Sequence, residues 1–183
     1  DDVKLYLALH QTRGEDWQLA IPTLERIVRE TPDRLAAVEG LAAIRERQGR
    51  LPEAIELRQR VHMLRTPSVA ELIALGEMAM GAGQTPAAID AFEKARAADR
   101  AKFRHDLDLG VLYLDARRLP DAREALDRVT ASHPGYAMAL FKRAQVSVLL
   151  NEPDAGARIT RARTHADATT RPLIARERLF QGK

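Results

Sequence analysis

The sequence predicts an all-α chain, a right-handed α-solenoid of stacked helix-turn-helix units, and three observations carry that prediction. Alanine outnumbers aromatic residues by 31 to eight in 183 residues. That balance favours close helix packing over strands, which draw on β-branched and aromatic side chains. Pro52, Pro86 and Pro120 recur 34 residues apart, each in the opening turn of an alanine-centred pattern: LPEAIELRQRV, TPAAIDAFEKA and LPDAREALDRV. Proline suits that turn because its missing N–H had no intrahelical partner to lose. Small residues recur with the same period, and small residues let helix axes approach closely.

Blocks of 34 laid from residue 1 give repeats at about 1–34, 35–68, 69–102 and 103–136, with a fifth at 137–169. Place 8 of the block holds Ala8, Ala42, Gly76 and Gly110, and place 20, its expected partner on the second helix, holds Ala20, Ala54, Ala88 and Ala122. Place 7 is Leu7, Leu41, Leu75 and Leu109, and place 27 is Ile27, Val61, Ala95 and Val129, the pattern of core columns. Place 24 is Leu24, Arg58, Phe92 and Leu126. Gly49 and Gly83 share place 15, where a glycine ends a helix. The fifth block is one residue short between its helices. Allowing for this, Ala144, Pro153, Ala155, Ile159 and Ala162 return to their columns. The tail at 170–181 reads as a capping helix, because a terminal repeat needs a polar outer face. The whole of 1–183 is thus expected to be one domain.

Composition narrows the function classes. With no cysteine in the chain there is no disulfide framework, thiolate metal site or cysteine nucleophile. No apolar run approaches the roughly 18 residues of a membrane span, so no direct membrane insertion is expected. DDVKLYLALH lacks a starting Met and the basic start of a signal peptide, and the chain reads as a fragment of a longer or processed protein. Lysine and arginine total 29 against 26 acids, so the net charge of +3 is weak evidence for a nucleic-acid partner. The excess of arginine over lysine, with abundant alanine, points to a GC-rich bacterial genome.

The stretches ALGEMAMGAGQTPAAIDAFEKA (74–95) and LGVLYLDARRLPDAREALDRV (109–129) resemble the tetratricopeptide repeat family, and the resemblance covers essentially the whole chain. Its departures are Lys4 and Asp106 in a usually apolar column, and Arg45 and Arg58 in columns usually aromatic. Their aliphatic stems are expected to cover apolar surface while the heads reach water. The resemblance implies a curved array whose inner wall, built from places 2, 5, 6, 9, 12 and 13 of the first helices, receives a peptide or helix of a protein partner. Carried onto this sequence, the groove candidates are Glu39, Ile73, Glu77, Met80, Leu107, Asp108, Val111, Leu114, Phe141, Lys142 and Gln145. Many arginines fall on second helices, so the basic excess is expected to lie mostly outside the groove, and the expected ligand is an amphipathic helix or short apolar peptide with some basic residues. The family's carboxylate clamp, which needs paired lysines and asparagines on first helices, is missing: the one asparagine is Asn151, in a turn.

VKLYLAL is apolar on more than one helix face. This implies either a further repeat before it or a homodimer through the first helix. No catalytic set emerges from spacing. The five histidines, at 10, 62, 105, 133 and 165, show no paired-ligand spacing, and His105 with Asp108 reads as a solvated pair. GAG at 81–83 is not followed by the lysine and hydroxyl of a phosphate loop. Place 5 reads Leu5, Glu39, Ile73, Leu107 and Phe141, apolar and acidic where RNA-reading repeats need polar and basic columns. The expectation is therefore a non-enzymatic protein-interaction scaffold without cofactor, metal or nucleic-acid ligand. The alternative is the scaffold segment of a larger enzyme or envelope assembly or export machine whose activity lies outside these residues.

Overall fold

The computed structural model describes residues 2–14 and 16–181, and the described residues form helices without strands. Eleven α-helices follow one another: α1 (Asp2–Arg13), α2 (Trp17–Glu30), α3 (Leu35–Arg47), α4 (Leu51–Leu64), α5 (Val69–Gly81), α6 (Thr85–Ala98), α7 (Asp106–Asp115), α8 (Leu119–Asp127), α9 (Tyr136–Leu149), α10 (Ala155–Thr164) and α11 (Thr170–Arg176). A 3-10 turn at Arg178–Phe180 closes the tail. The helices fall into two compact units, one ending at Ala98 and the other beginning at Asp99. In the first, the hairpins α1–α2, α3–α4 and α5–α6 stack through α2 on α3 and α4 on α5. In the second, α7–α8 and α9–α10 stack through α8 on α9, and α11 packs on α9 and α10. Each unit is a stack of helical hairpins, the architecture of the α-solenoid class.

The turns repeat because one backbone device repeats. Gly49, Gly83, Arg117 and Asn151 have φ of 68°, 70°, 60° and 55°. All four stand at place 15. Each is followed by a residue whose N–H reaches five residues back: Arg50 to Arg45, Gln84 to Ala79, Arg118 to Tyr113 and Glu152 to Ser147, at 2.8–2.9 Å. This is the Schellman ending, which satisfies carbonyls that the helix leaves open. Glycine takes the left-handed conformation without a Cβ penalty, whereas Arg117 carries one of about 1–2 kcal/mol. Glu15, in the same column, lies outside the described residues. Pro52 and Pro120 then stand in the first turns of α4 and α8. Before α5, Ser68 Oγ accepts from the Glu71 N–H at 3.2 Å and the Glu71 carboxylate accepts from the Ser68 N–H at 2.8 Å, a capping box.

The small columns are buried, and the two glycines of place 8 have their tightest neighbour at place 24. A Cβ on Gly76 would stand 2.7 Å from the Phe92 ring, and one on Gly110 would stand 2.6 Å from Leu126 Cγ. Leu24, Phe92, Leu126 and Ile159 at place 24 are all core residues. The helices therefore approach by fitting a large side chain over a missing one.

The expectation that the Arg45 head reaches water does not hold. Arg45 is 5% exposed, and its guanidinium donates to Gln48 Oε1 at 2.8 Å, pairs with Glu53 at 3.0 Å and with Glu25 of α2. A second buried arginine stands in the leucine column of place 7. Arg143, 4% exposed, donates to Asp127 of α8 at 2.9 Å and to Glu152 at 2.8 Å, and also bonds the buried Ser147 hydroxyl. Glu25 and Asp127 occupy the same place of their hairpins, so each unit joins a second helix to the next hairpin through a buried guanidinium. Such groups are retained only when carboxylates satisfy their donors.

At the amino end, α1 buries only Leu5 and Ala8 among its residues, while Val3 and Tyr6 are 82% and 76% exposed. The corresponding apolar face of α3, at Ala37 and Leu41, is buried with Leu24 and Ile27 of α2. At the other end, the tail expected as one capping helix over 170–181 divides at Glu177, which is extended. Its carboxylate accepts from Gln145 Nε2 and, at 3.0 Å, from the Leu179 N–H, trading helix continuation for two side-chain bonds.

Candidate functional site

The predicted groove residues lie on the first helices of both units, and each unit presents its own set. In the first unit, Glu39 on α3 is half-buried and accepts from Arg65 Nε at 3.0 Å. Ile73 on α5 is half-buried, while Glu77 and Met80 are exposed. Arg65 also forks onto Glu71, and Arg58 pairs with Glu46 of the inner wall. Arg58 of α4 and Arg65 just after it therefore turn toward the first helices, where they neutralise the inner-wall acids Glu46 and Glu39. The Arg65 hydrogen bond, then the Ser68 N–H and hydroxyl, hold the Glu71 carboxyl well below the usual carboxylate range. The acidity expected of this wall is largely consumed within the protein, and with it the reason to expect a basic ligand there.

In the second unit, Leu107, Asp108, Val111 and Leu114 follow one another along α7, all half-buried. Leu107 is pressed against Gly135 at the entrance to α9. Asp108 pairs with His105 Nδ1 at 2.9 Å, and that ring meets Phe103 edge-on, with 5.8 Å between centroids. Phe141 on α9 is 4% exposed and packs edge-on against Phe180 of the tail, with 5.8 Å between centroids. It is a core residue of this unit rather than a free wall of a groove, because the tail covers it.

Leu114, Lys142 and Gln145 converge. With Asp115, Leu149, Arg117 and Leu179 they line a cavity of about 420 Å³ between α7, α9 and the tail. That volume lies within the roughly 300–1,000 Å³ of ordinary ligand sites. Lys142 Nζ stands 5.4 Å from the centre of the Phe141 ring, within cation–π range, which puts its charge at the edge of the wall. Gln145 gives its amide N–H to Glu177, while its Oε1 is buried with no hydrogen-bond partner among the described residues. Two cations, one acid and three leucines make a surface suited to an apolar side chain beside an acidic group.

Sequence reasoning missed Arg117 and Leu179. The place-15 register shared with Gly49 and Gly83 put Arg117 in a turn at the end of the wall and was the signal that could have found it. Leu179 reaches the cavity only because the tail breaks at Glu177, and nothing in RERLF announces that. Among the described residues no group of three or more His, Asp or Glu is placed to hold a metal ion, and no helix is long and apolar enough to cross a membrane.

A family model described as tetratricopeptide repeat matches residues 7–61, 73–137 and 107–168. Among solved structures, the chain is similar to YrrB, a TPR protein with an unusual peptide-binding site, at 14% identity and TM-score 0.65 over 95% of this chain and 91% of that one. It is also similar to MamA, at 20% identity and TM-score 0.57 over 89% of this chain and 90% of that one. A third similar structure is PilW, a widely conserved type IV pilus biogenesis factor, at 19% identity and TM-score 0.50 over 94% and 81%. At these identities the likeness shows the fold. A search of curated protein sequences finds no match.

Proposed function

The chain belongs to the tetratricopeptide repeat family, and we propose that it is a non-enzymatic scaffold that binds a short peptide or helix of a partner protein on the inner surface of its second unit. The observation that carries this reading is the convergence of Leu114, Lys142 and Gln145, three residues on two different helices, upon one cavity. The leucines supply a seat for one apolar anchor, and Lys142 with Arg117 favours an acidic residue next to it. Recognition then follows the mode in which apolar anchors give affinity and flanking charges choose the partner. The peptide-binding site of YrrB lends analogy at the level of the fold alone.

Selection from a random-peptide display library on immobilised protein tests this. Wild type is expected to enrich peptides carrying an apolar residue beside Asp or Glu, and Lys142→Glu and Leu149→Asp, checked for helicity, are expected to lose them. Equal enrichment by folded variants overturns the reading. The exposed Val3, Tyr6 and Leu7 face of α1 supports a second element of the proposal, self-association through that helix. Sedimentation that stays monomeric at high concentration removes it.

A further inference from the structure

In the first unit, one column of the repeat changes its task. Place 24 is filled by Leu24 in α2 and by Phe92 in α6, both fully buried. In α4 the same place holds Arg58, whose Nε turns aside to Glu46 of α3. Beside Arg58 lies a cavity of about 200 Å³ between α3, α4 and α5. Ala74, Leu75 and Met78 of α5 line it on one side, and Glu46, Arg58 and His62 stand around them with Glu71. The volume falls below the roughly 300–1,000 Å³ of small-molecule and cofactor sites, which suits a single side chain.

The lining chooses among side chains. The charges of the lining are already paired, Arg58 with Glu46 and Arg65 with Glu71, so a charged side chain of either sign would have to compete with an existing pair. An aliphatic one would use the floor and cover the His62 imidazole without giving it a hydrogen bond, which is costly. An aromatic ring with a polar handle uses both: a methionine thioether favours ring edges, and a guanidinium plane stacks on ring faces. Carboxylate oxygens and a neutral imidazole accept from an indole N–H or a phenol O–H. We propose that this cavity is an anchor site for one Trp or Tyr side chain of a bound peptide. The inference rests on the reading that the inner surface takes a peptide, since Glu46 and Ala74 occupy inner-wall places of α3 and α5. Burial keeps the His62 imidazole below its ordinary pKa against the pull of Glu71, with Arg65, Arg58 and Lys94 acting in the same direction as burial. It is thus neutral and able to accept at pH 7.

The test is a titration of the full chain with N-acetyl-tryptophanamide, N-acetyl-tyrosinamide and N-acetyl-leucinamide, followed at the Met78 methyl by carbon–proton NMR. The aromatic amides are expected to give a saturable shift at Met78, at least tenfold tighter than the leucine amide. Arg58→Leu restores the packed column, and Ala74→Leu puts bulk at an exposed position of the mouth. Both are expected to abolish the shift while melting no lower than wild type. Absence of a saturable shift in wild type, equal response to the leucine amide, or a shift that survives both substitutions overturns the proposal. Lys142→Glu and Leu149→Asp leave this titration unchanged, so failure of the peptide reading in the second unit is seen separately in the display experiment.

Discussion

The hairpins α3–α4 and α5–α6 share one register and differ at place 24. In α5–α6, Phe92 is fully buried over Gly76, with no room between them even for a Cβ. In α3–α4, the small residue Ala42 is retained and buried, yet Arg58 at place 24 turns to Glu46, and a cavity lies beside it against α5. The contrast teaches that the hairpin fold does not need every column filled. Buried Val38, Ile44 and Ile55, together with the Arg45 network, hold α3–α4 together, which frees place 24 for another use.

The sharpest way to break the comparison is to truncate the column in both hairpins. Phe92→Ala should cost about 3–5 kcal/mol in chemical denaturation, the usual range for emptying an aromatic site in a core. Arg58→Ala should cost under about 1 kcal/mol, because its pair with Glu46 is partly solvated. Equal costs would mean that Arg58 fills the column after all. A second contrast lies in the second unit, where Arg143 replaces a core leucine. Arg143→Ala should cost about 2–3 kcal/mol, below the 3–5 expected of a fully enclosed pair because Asp127 is half-exposed. Arg143→Leu combined with Glu152→Gln should recover most of that loss, and failure to recover would show that the network does more than satisfy its own charges.

Acid sharpens the same contrast by a smaller amount. The Glu71 carboxyl is held low by Arg65 and Ser68. Burial alone would raise the Glu152 carboxyl, but hydrogen bonds from Arg143 and Ser147 outweigh it and lower it. Both folded-state values lie below the unfolded ones, so the stability they contribute is present above about pH 4.5 and lost as pH falls through the folded values. Glu71→Gln should flatten the fall in stability below pH 4.5 by under about 1 kcal/mol, since the Arg65 pair is over a third exposed. An unchanged acid limb would show that the pair contributes nothing. The smallest effect concerns the turn: Arg117→Gly should raise stability by about 0.5 kcal/mol, the left-handed penalty being partly offset by glycine's chain entropy. A thermal melt shifted downward would contradict this.

Much of the fold was legible because a period is a local property. Pro52, Pro86 and Pro120, the alanines of places 8 and 20, and Gly49 and Gly83 each report a backbone requirement that recurs wherever the hairpin recurs. The site was less legible, since its lining is decided by which hairpins meet. Arg45 looks like a solvated departure from the pattern until Glu25 and Glu53 are brought to it from neighbouring helices. Phe141 sits in a groove column, and only the break at Glu177 brings Phe180 over it. Leu114, Lys142 and Gln145 come to one cavity because places 6, 9 and 12 of successive first helices project together where hairpins stack. The cavity beside Arg58 is lined by Arg58 and by the Glu46 it turns to, a choice between partners that the residue type leaves open.

The central claim, that the inner surface of the second unit receives a peptide, is tested most directly by hydrogen–deuterium exchange with and without a display-selected peptide. Added protection is predicted at residues 111–117, 142–149 and 177–180, the walls of the cavity lined by Leu114, Lys142, Gln145 and Leu179. Protection confined to α8 and α10, with those segments unchanged, would contradict it.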